Sequence, residues 1–101
     1  MIQKMFAIRD SKAQAFLQPF FSSANGSALR ALGDAVADGK SPLALHPEDY
    51  MLYEVATFDD STAEIIPVNP IKLLACASDF AVKPSLVAEP PIELVNGKKS
   101  S

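Results

Sequence analysis

Cationic and aromatic side chains alternate near the start of the chain, and their types point to one kind of chemistry. The set consists of Lys4, Arg9 and Lys12, interleaved with Phe6, Phe16, Phe20 and Phe21. Proteins hold single-stranded nucleic acid with cations that follow the phosphates and with rings on which bases stack, each stacked base contributing roughly 1–3 kcal/mol. The segment therefore indicates a single-strand binding surface. The alternative is that most of these rings lie in the core, where phenylalanine is common.

The charge of the whole chain is opposite to that of most nucleic-acid-binding domains. Nine basic and 12 acidic residues give a formal net charge of -3, whereas such domains usually show a basic patch or stripe. The charges are unevenly distributed, because residues 1–30 have an excess of basic side chains and residues 31–70 a large excess of acidic ones. Any anion-binding surface is therefore expected to involve the N-terminal segment.

The sequence offers little for catalysis or for a bound cofactor. His46, the only histidine, precedes Glu48 and Asp49, a grouping that could hold a metal ion or exchange protons but that is more typical of a turn. One histidine and one cysteine are too few for a zinc site of the usual composition. The glycines fit no phosphate-binding loop. We predict a protein that is not an enzyme and that binds neither a metal nor a cofactor.

The length of 101 residues suits a single domain, and the spacing of apolar residues predicts its elements. Leu29, Leu32 and Val36 recur at the spacing of an amphipathic helix, and Gly39 follows as a terminator. Residues 50–58 are rich in aromatic and β-branched types, and the polar residues after them favour a turn. The chain therefore predicts one helix followed by a hairpin.

These patterns predict an α+β fold: a small antiparallel sheet of about three strands with one main helix and a short second helix. The predicted elements are strand 2–9, helix 28–38, hairpin strands 50–58 and 64–68, and a helix at 70–79, for which a third hairpin strand is the alternative. Residues 1–82 are expected to form the domain. Residues 83–101 contain prolines separated by polar residues and end in lysine and serine, which predicts a flexible tail.

The predicted sheet has one face that the helix does not cover. Residues 50–58 are apolar on both alternating faces, so we expect a homodimer or a higher oligomer that buries the uncovered face. No apolar segment approaches the ~20 residues that a membrane helix requires, and the first residues lack the pattern of a signal peptide. A soluble, intracellular protein without membrane contact is expected.

Four blocks of sequence resemble a known family. They read MFAIRDSKA at residues 5–13, PFF at 19–21, HPEDY at 46–50 and FDDSTAEI at 58–65. In this order they are similar to the small nonstructural protein of gokushovirus-type microviruses, which are tailless phages with small circular single-stranded DNA genomes. The resemblance covers about residues 4–80, and the predicted helix lies in the matching place.

The resemblance implies a phage-encoded, noncapsid protein of the host bacterial cytoplasm, described as DNA-binding and acting in single-strand synthesis or genome packaging. Together with the cationic segment, it makes the candidate DNA-binding residues Lys4, Arg9, Lys12, Phe20, Phe21 and Tyr53. The acidic residues around 48–64 become a candidate docking surface for a basic partner, such as a replication or capsid protein. The alternative function is therefore an adaptor that docks on such a protein without binding DNA.

Overall fold

The computed structural model describes residues 1–81, in which a five-stranded antiparallel sheet carries one long helix on one face. The strands are β1 Ile2–Asp10, β2 Ala15–Phe16, β3 Phe20–Ser22, β4 Tyr50–Asp59 and β5 Glu64–Cys76. The helices are α1 Asn25–Ala37 and α2 Pro42–Leu45, with 3₁₀ turns at Pro47–Asp49 and Ala77–Phe80. The predicted tail at 83–101 lies outside the described residues. The α+β class is confirmed, and the sheet has five strands where about three were expected.

The long strands β1, β4 and β5 lie side by side, and the two short strands complete the other edge. β4 pairs with β1 on one side and with β5 on the other. β2 and β3 both pair with the free edge of β1, where Phe16 lies opposite Arg9 and Phe20 opposite Phe6. Strands of two and three residues leave no periodic signal in the sequence, which explains why the expected strand count was too low.

The core lies between α1 and the face of the sheet that it covers, which we call the helix-side face. Phe6, Leu32 and Leu52 are the largest fully buried side chains. Ala28, Leu32 and Val36 form the buried stripe of α1, as the helical spacing predicts. The helix begins at Asn25, three residues before the predicted start at 28, and the extended residue that precedes it is Ala24. It ends at Ala37, one residue before the predicted end.

The helix predicted at 70–79 is wrong, and the alternative of a third hairpin strand is correct only in that these residues are extended, since they continue the second strand of the hairpin. The chain stays extended to Cys76 as part of β5, and only Ala77–Phe80 turn into a 3₁₀ helix. Pairing with β4 overrides the helical spacing, since Lys72 lies opposite Glu54 and Leu73 opposite Tyr53. The prolines of β5 are tolerated because an edge strand need not donate from every backbone amide.

A bulge in β4 decides which side chains lie on each face of the sheet. Phe6 of β1 lies opposite Glu54, but its neighbour Met5 lies opposite Ala56, so Val55 is an extra residue in the ladder. Side chains of a strand alternate between faces. The bulge therefore moves Ala56 and Phe58 to the face opposite that of Leu52 and Glu54.

Candidate nucleic-acid interface

The second face of the sheet, which we call the open face, is not covered by any element among residues 1–81. The pairing register places on it the side chains that alternate with the core residues. They are Gln3, Met5, Ala7 and Arg9 of β1, Phe16 and Phe21 of the short strands, Met51, Tyr53, Ala56 and Phe58 of β4, and Ile65 and Leu73 of β5. A contiguous apolar surface of this kind typically marks an interaction site.

Four aromatic rings on the open face form two pairs. The ring of Phe16 meets that of Tyr53 edge-on, with centroids 5.7 Å apart, and the ring of Phe21 lies 5.4 Å from that of Phe58 in a tilted contact. Phe16 and Phe21 are each nearly half exposed. The small side chains of Ala7 and Ala56 are almost completely covered, because the larger side chains of this face surround them. The rings therefore project beyond the small side chains of Ala7 and Ala56.

The charges of the described residues are segregated between the two faces. The four carboxylates within the sheet belong to Asp10, Glu54, Asp59 and Glu64, and the register places all of them on the helix-side face. The remaining carboxylates of residues 1–81 lie in α1, at the residue that follows it, in the 3₁₀ turns and in the turn after β4, where Asp60 accepts a hydrogen bond of 3.4 Å from Gln3 at the edge of the open face. Arg9 is thus the one charged side chain on this part of the open face, and Lys12 lies in the exposed turn between β1 and β2.

The sequence-predicted residues divide between the two faces. Arg9, Phe21 and Tyr53 lie on the open face, and Lys12 lies in the adjoining turn. Phe20 does not belong to this surface, because its ring stacks on that of Phe6 at 5.7 Å on the helix side. Adjacent residues of a strand point to opposite faces, so only one of the two neighbouring rings can be on the open face.

Lys4 is also directed away from the open face, which corrects its assignment as a DNA contact. Its Nζ donates a hydrogen bond of 2.9 Å to Asn25 Oδ1 and lies 3.8 Å from Glu54 Oε2. Glu54 is 6% exposed, and its second carboxylate oxygen has no hydrogen-bond partner among the described residues. Lys4 therefore compensates a buried charge instead of offering a free cation.

Replacing Lys4 with methionine is expected to lower the free energy of unfolding by about 1–2 kcal/mol, because Glu54 would remain buried without its cation. The side chain of Lys4 is about one-third exposed, which keeps the expected value below that for a fully buried pair. Urea unfolding measures the effect. In a Glu54→Gln background, Lys4→Met should lose little stability. An equally large loss of stability in that background would show that the Lys4–Glu54 pair does not cause it.

The residues missed by the sequence analysis are Phe58 and the aliphatic side chains of β5. Strict alternation from Tyr53 would place Phe58 on the opposite face, and only the bulge at Val55 brings the two together. Ile65 and Leu73 lie opposite Phe58 and Tyr53 in β5. Leu73 was assigned to a helix, so its pairing with Tyr53 could not be foreseen.

Tyr50 and the cluster around His46 do not belong to the open face. Tyr50 is buried on the helix-side face, where burial, followed by the charges of Asp10 and Asp49, raises the pKa of its phenol. His46, Glu48 and Asp49 bring potential ligand atoms within 4.8 Å of one another. Such exposed groups are common on protein surfaces without a bound ion, and we assign this cluster no function.

None of the helices in residues 1–81 is long and apolar enough to cross a membrane.

Comparison with known proteins gives one match. No curated protein and no solved structure matches the chain. Residues 3–80 match the sequence model of the family described as phage ORF5 protein. This match spans α1 and all of the sheet except Ile2, and the chain therefore belongs to the phage ORF5 protein family.

Proposed function

We propose that this protein binds single-stranded DNA across the open face, in the host bacterial cytoplasm, during viral single-strand synthesis or genome packaging. The observation that carries the proposal is the presence of two aromatic pairs and Arg9 on the face of the sheet to which no carboxylate of its strands points. Bases stack on such rings irrespective of sequence. The proposed activity is binding, without catalysis and without a cofactor.

The dimensions of the open face suit a short stretch of single strand. The two aromatic pairs include Tyr53 and Phe58 of β4, which are separated by roughly 15 Å along the strand. Arg9 lies opposite Phe16, so a phosphate held by its guanidinium would lie next to the first pair. Lys12 follows in the exposed turn. These positions allow bases to stack on both pairs while the backbone passes the two cations.

The negative net charge is compatible with this proposal because of the separation of charges. The acidic side chains of the sheet point to the helix-side face, and the thickness of the domain and screening by salt weaken their repulsion of a strand on the open face. With only two cations in position, we expect modest affinity and a shallow dependence on salt. For single strands the slope of log K against log salt is about -0.7 for each neutralised phosphate.

The proposal is tested by fluorescence anisotropy with a labelled oligothymidine over a range of salt concentrations. We expect the wild type to show a slope near -1.4, the value for two phosphates. Arg9→Ala combined with Lys12→Ala should weaken binding by about 10-fold at low salt and bring the slope close to zero. Arg30→Ala combined with Lys40→Ala is the matched control, because it removes the same charge from α1 and the turn after it.

An equal loss in the control variant would mean that only the net charge matters and would contradict a site on the open face. Absence of binding at low salt would favour the alternative function, an adaptor without DNA contact. Of the acidic docking residues predicted around 48–64, Glu48 and Asp49 precede β4, Glu54 is buried, and Asp59, Asp60 and Glu64 lie together at the tip of the β4–β5 hairpin. The group of carboxylates at the tip is what supports the adaptor. That surface would suit a basic replication or capsid protein.

A further inference from the structure

We propose that two copies of this chain associate through the outer part of the β4–β5 hairpin, with the two hairpins antiparallel and their helix-side faces in contact. The surface, which we call the arm patch, consists of Ile2, Thr57 and Ile66. It lies on the face opposite the aromatic pairs. The proposal therefore leaves the open face free and does not depend on DNA binding.

The arm patch is apolar and uncovered in the described chain. α1 begins at Asn25, which contacts Lys4 through its side chain, and the hairpin continues past this point. Thr57 lies opposite Ile66, and Ile2 lies opposite Asp59. Ile2 is 56% and Ile66 54% exposed. Two β-branched side chains on a flat strand surface would be buried by a second sheet packed face to face.

The charges at the two ends of the arm patch indicate that its partner is a second copy. At the tip, Asp59 and Glu64 provide two carboxylates on the face of the arm patch, and Asp60 in the turn beyond accepts hydrogen bonds from the Met1 amine at 2.8 Å and from Gln3 at 3.4 Å. At the base, Lys72 is exposed, and the charge of buried Glu54 is compensated by Lys4. An antiparallel pair of hairpins places the acidic tip of each copy on the basic base of the other.

A twofold axis through the arm patch makes every contact occur twice. Contacts in such an interface are reciprocal, so one tip-to-base pair of charges implies a second identical pair. A parallel arrangement would bring the tip carboxylates together and is disfavoured by repulsion. The apolar centre and the opposite charges at its two ends are therefore complementary only in the antiparallel arrangement.

The edge of β5 is a less suitable surface for the same partner. A second copy could in principle add its own strand to the free backbone of this edge. Pro67 and Pro70 lack amide donors, however, and the pairing with β4 jumps from Lys72 to Pro67 across an irregular segment. These features interrupt a continuous ladder of hydrogen bonds, which leaves face-to-face packing as the mode that the structure favours.

Neighbouring isoleucines of β5 provide a matched pair of variants. Ile65 and Ile66 are both 54% exposed, but they point to the open face and to the helix-side face, respectively. Sedimentation equilibrium of the full chain should show a dimer at micromolar concentration. Ile66→Ser should raise the dimer dissociation constant by about 10-fold, whereas Ile65→Ser should leave it within about twofold. A monomeric wild type would overturn the proposal, and so would a larger effect of Ile65→Ser, which would point to a dimer through the open face.

A charge exchange tests the antiparallel arrangement. Glu64→Lys and Lys72→Glu, each alone, place like charges at both ends of the interface and should weaken self-association. A mixture of the two variants should form heterodimers, because each contact then joins opposite charges again. Circular dichroism melting curves of each variant check the fold, since Lys72→Glu adds a carboxylate beside Glu54. If the folded variants associate no better in the mixture than alone, the antiparallel arrangement is wrong.

Discussion

Phe6→Ala is expected to remove about 3–5 kcal/mol from the free energy of unfolding, which is a large part of the 5–15 kcal/mol typical of a small domain. The Phe6 side chain is completely buried at the centre of the core cluster, against residues of α1 and β4. Its ring also stacks on that of Phe20. Truncation would leave a cavity that flanking strands cannot fill, because both neighbours of β1 hold it in register.

Chemical denaturation monitored by circular dichroism measures this effect, and Phe21→Ala is the control. Phe21 belongs to the same sheet but is 47% exposed on the open face, so its truncation should cost less than about 1 kcal/mol. Similar losses in the two variants would contradict the division of these rings between core and surface. The same unfolding curve shows whether Phe21→Ala is folded, so that a loss of DNA binding in that variant can be assigned to the ring.

Tyr53→Ala combined with Phe21→Ala is expected to weaken binding of oligothymidine by at least ~30-fold, since each ring removed forfeits a stacked base worth roughly 1–3 kcal/mol. The variant removes one ring from each aromatic pair of the open face. Fluorescence anisotropy at low salt measures the loss. This effect exceeds the ~10-fold loss expected for the two cations, because two stacked bases worth at least ~1 kcal/mol each amount to more than tenfold in affinity.

Three further variants identify the cause of such a loss. Tyr53→Phe retains the ring and should retain most of the affinity, whereas Tyr53→Leu retains only apolar area and should behave like alanine. Phe80→Ala removes a partly exposed ring that lies against Gly33 of α1, away from the open face, and should have no effect on binding. Full affinity of Tyr53→Leu would show that stacking is not the basis of the interaction.

The sequence predicted the parts of the fold that depend on local periodicity. α1 follows from the spacing of Leu29, Leu32 and Val36, and β1 and β4 lie close to their predicted bounds. β5 beyond Val68 was not predicted. There the spacing of Ile71 and Leu74 matches a helix, and only pairing with a distant strand makes the chain extended. The periodicity of a short stretch of sequence contains no information about pairing with a distant strand.

The candidate site was predicted by residue type more successfully than by position. Arg9, Phe21 and Tyr53 share the open face, but Lys4 and Phe20 have the right chemistry on the wrong face. Alternation along a strand explains why Phe20 and Phe21 separate. For Lys4 the decisive fact is the buried Glu54, whose need for a counter-charge is not visible in a linear sequence.

The extra residue at Val55 makes the aromatic surface sensitive to the length of a strand as well as to its composition. Every position from Ala56 to the tip owes its orientation to that single residue. Deleting the extra residue would leave Phe58 opposite Gln3 on the open face, in a ladder without a bulge, whereas strict alternation with Val55 retained would turn Phe58 away from Phe21. A one-residue insertion or deletion elsewhere in this strand, with the bulge retained, would exchange the outward and inward sides of the hairpin beyond it, while changes of length in the turn at 60–63 would leave both sides intact.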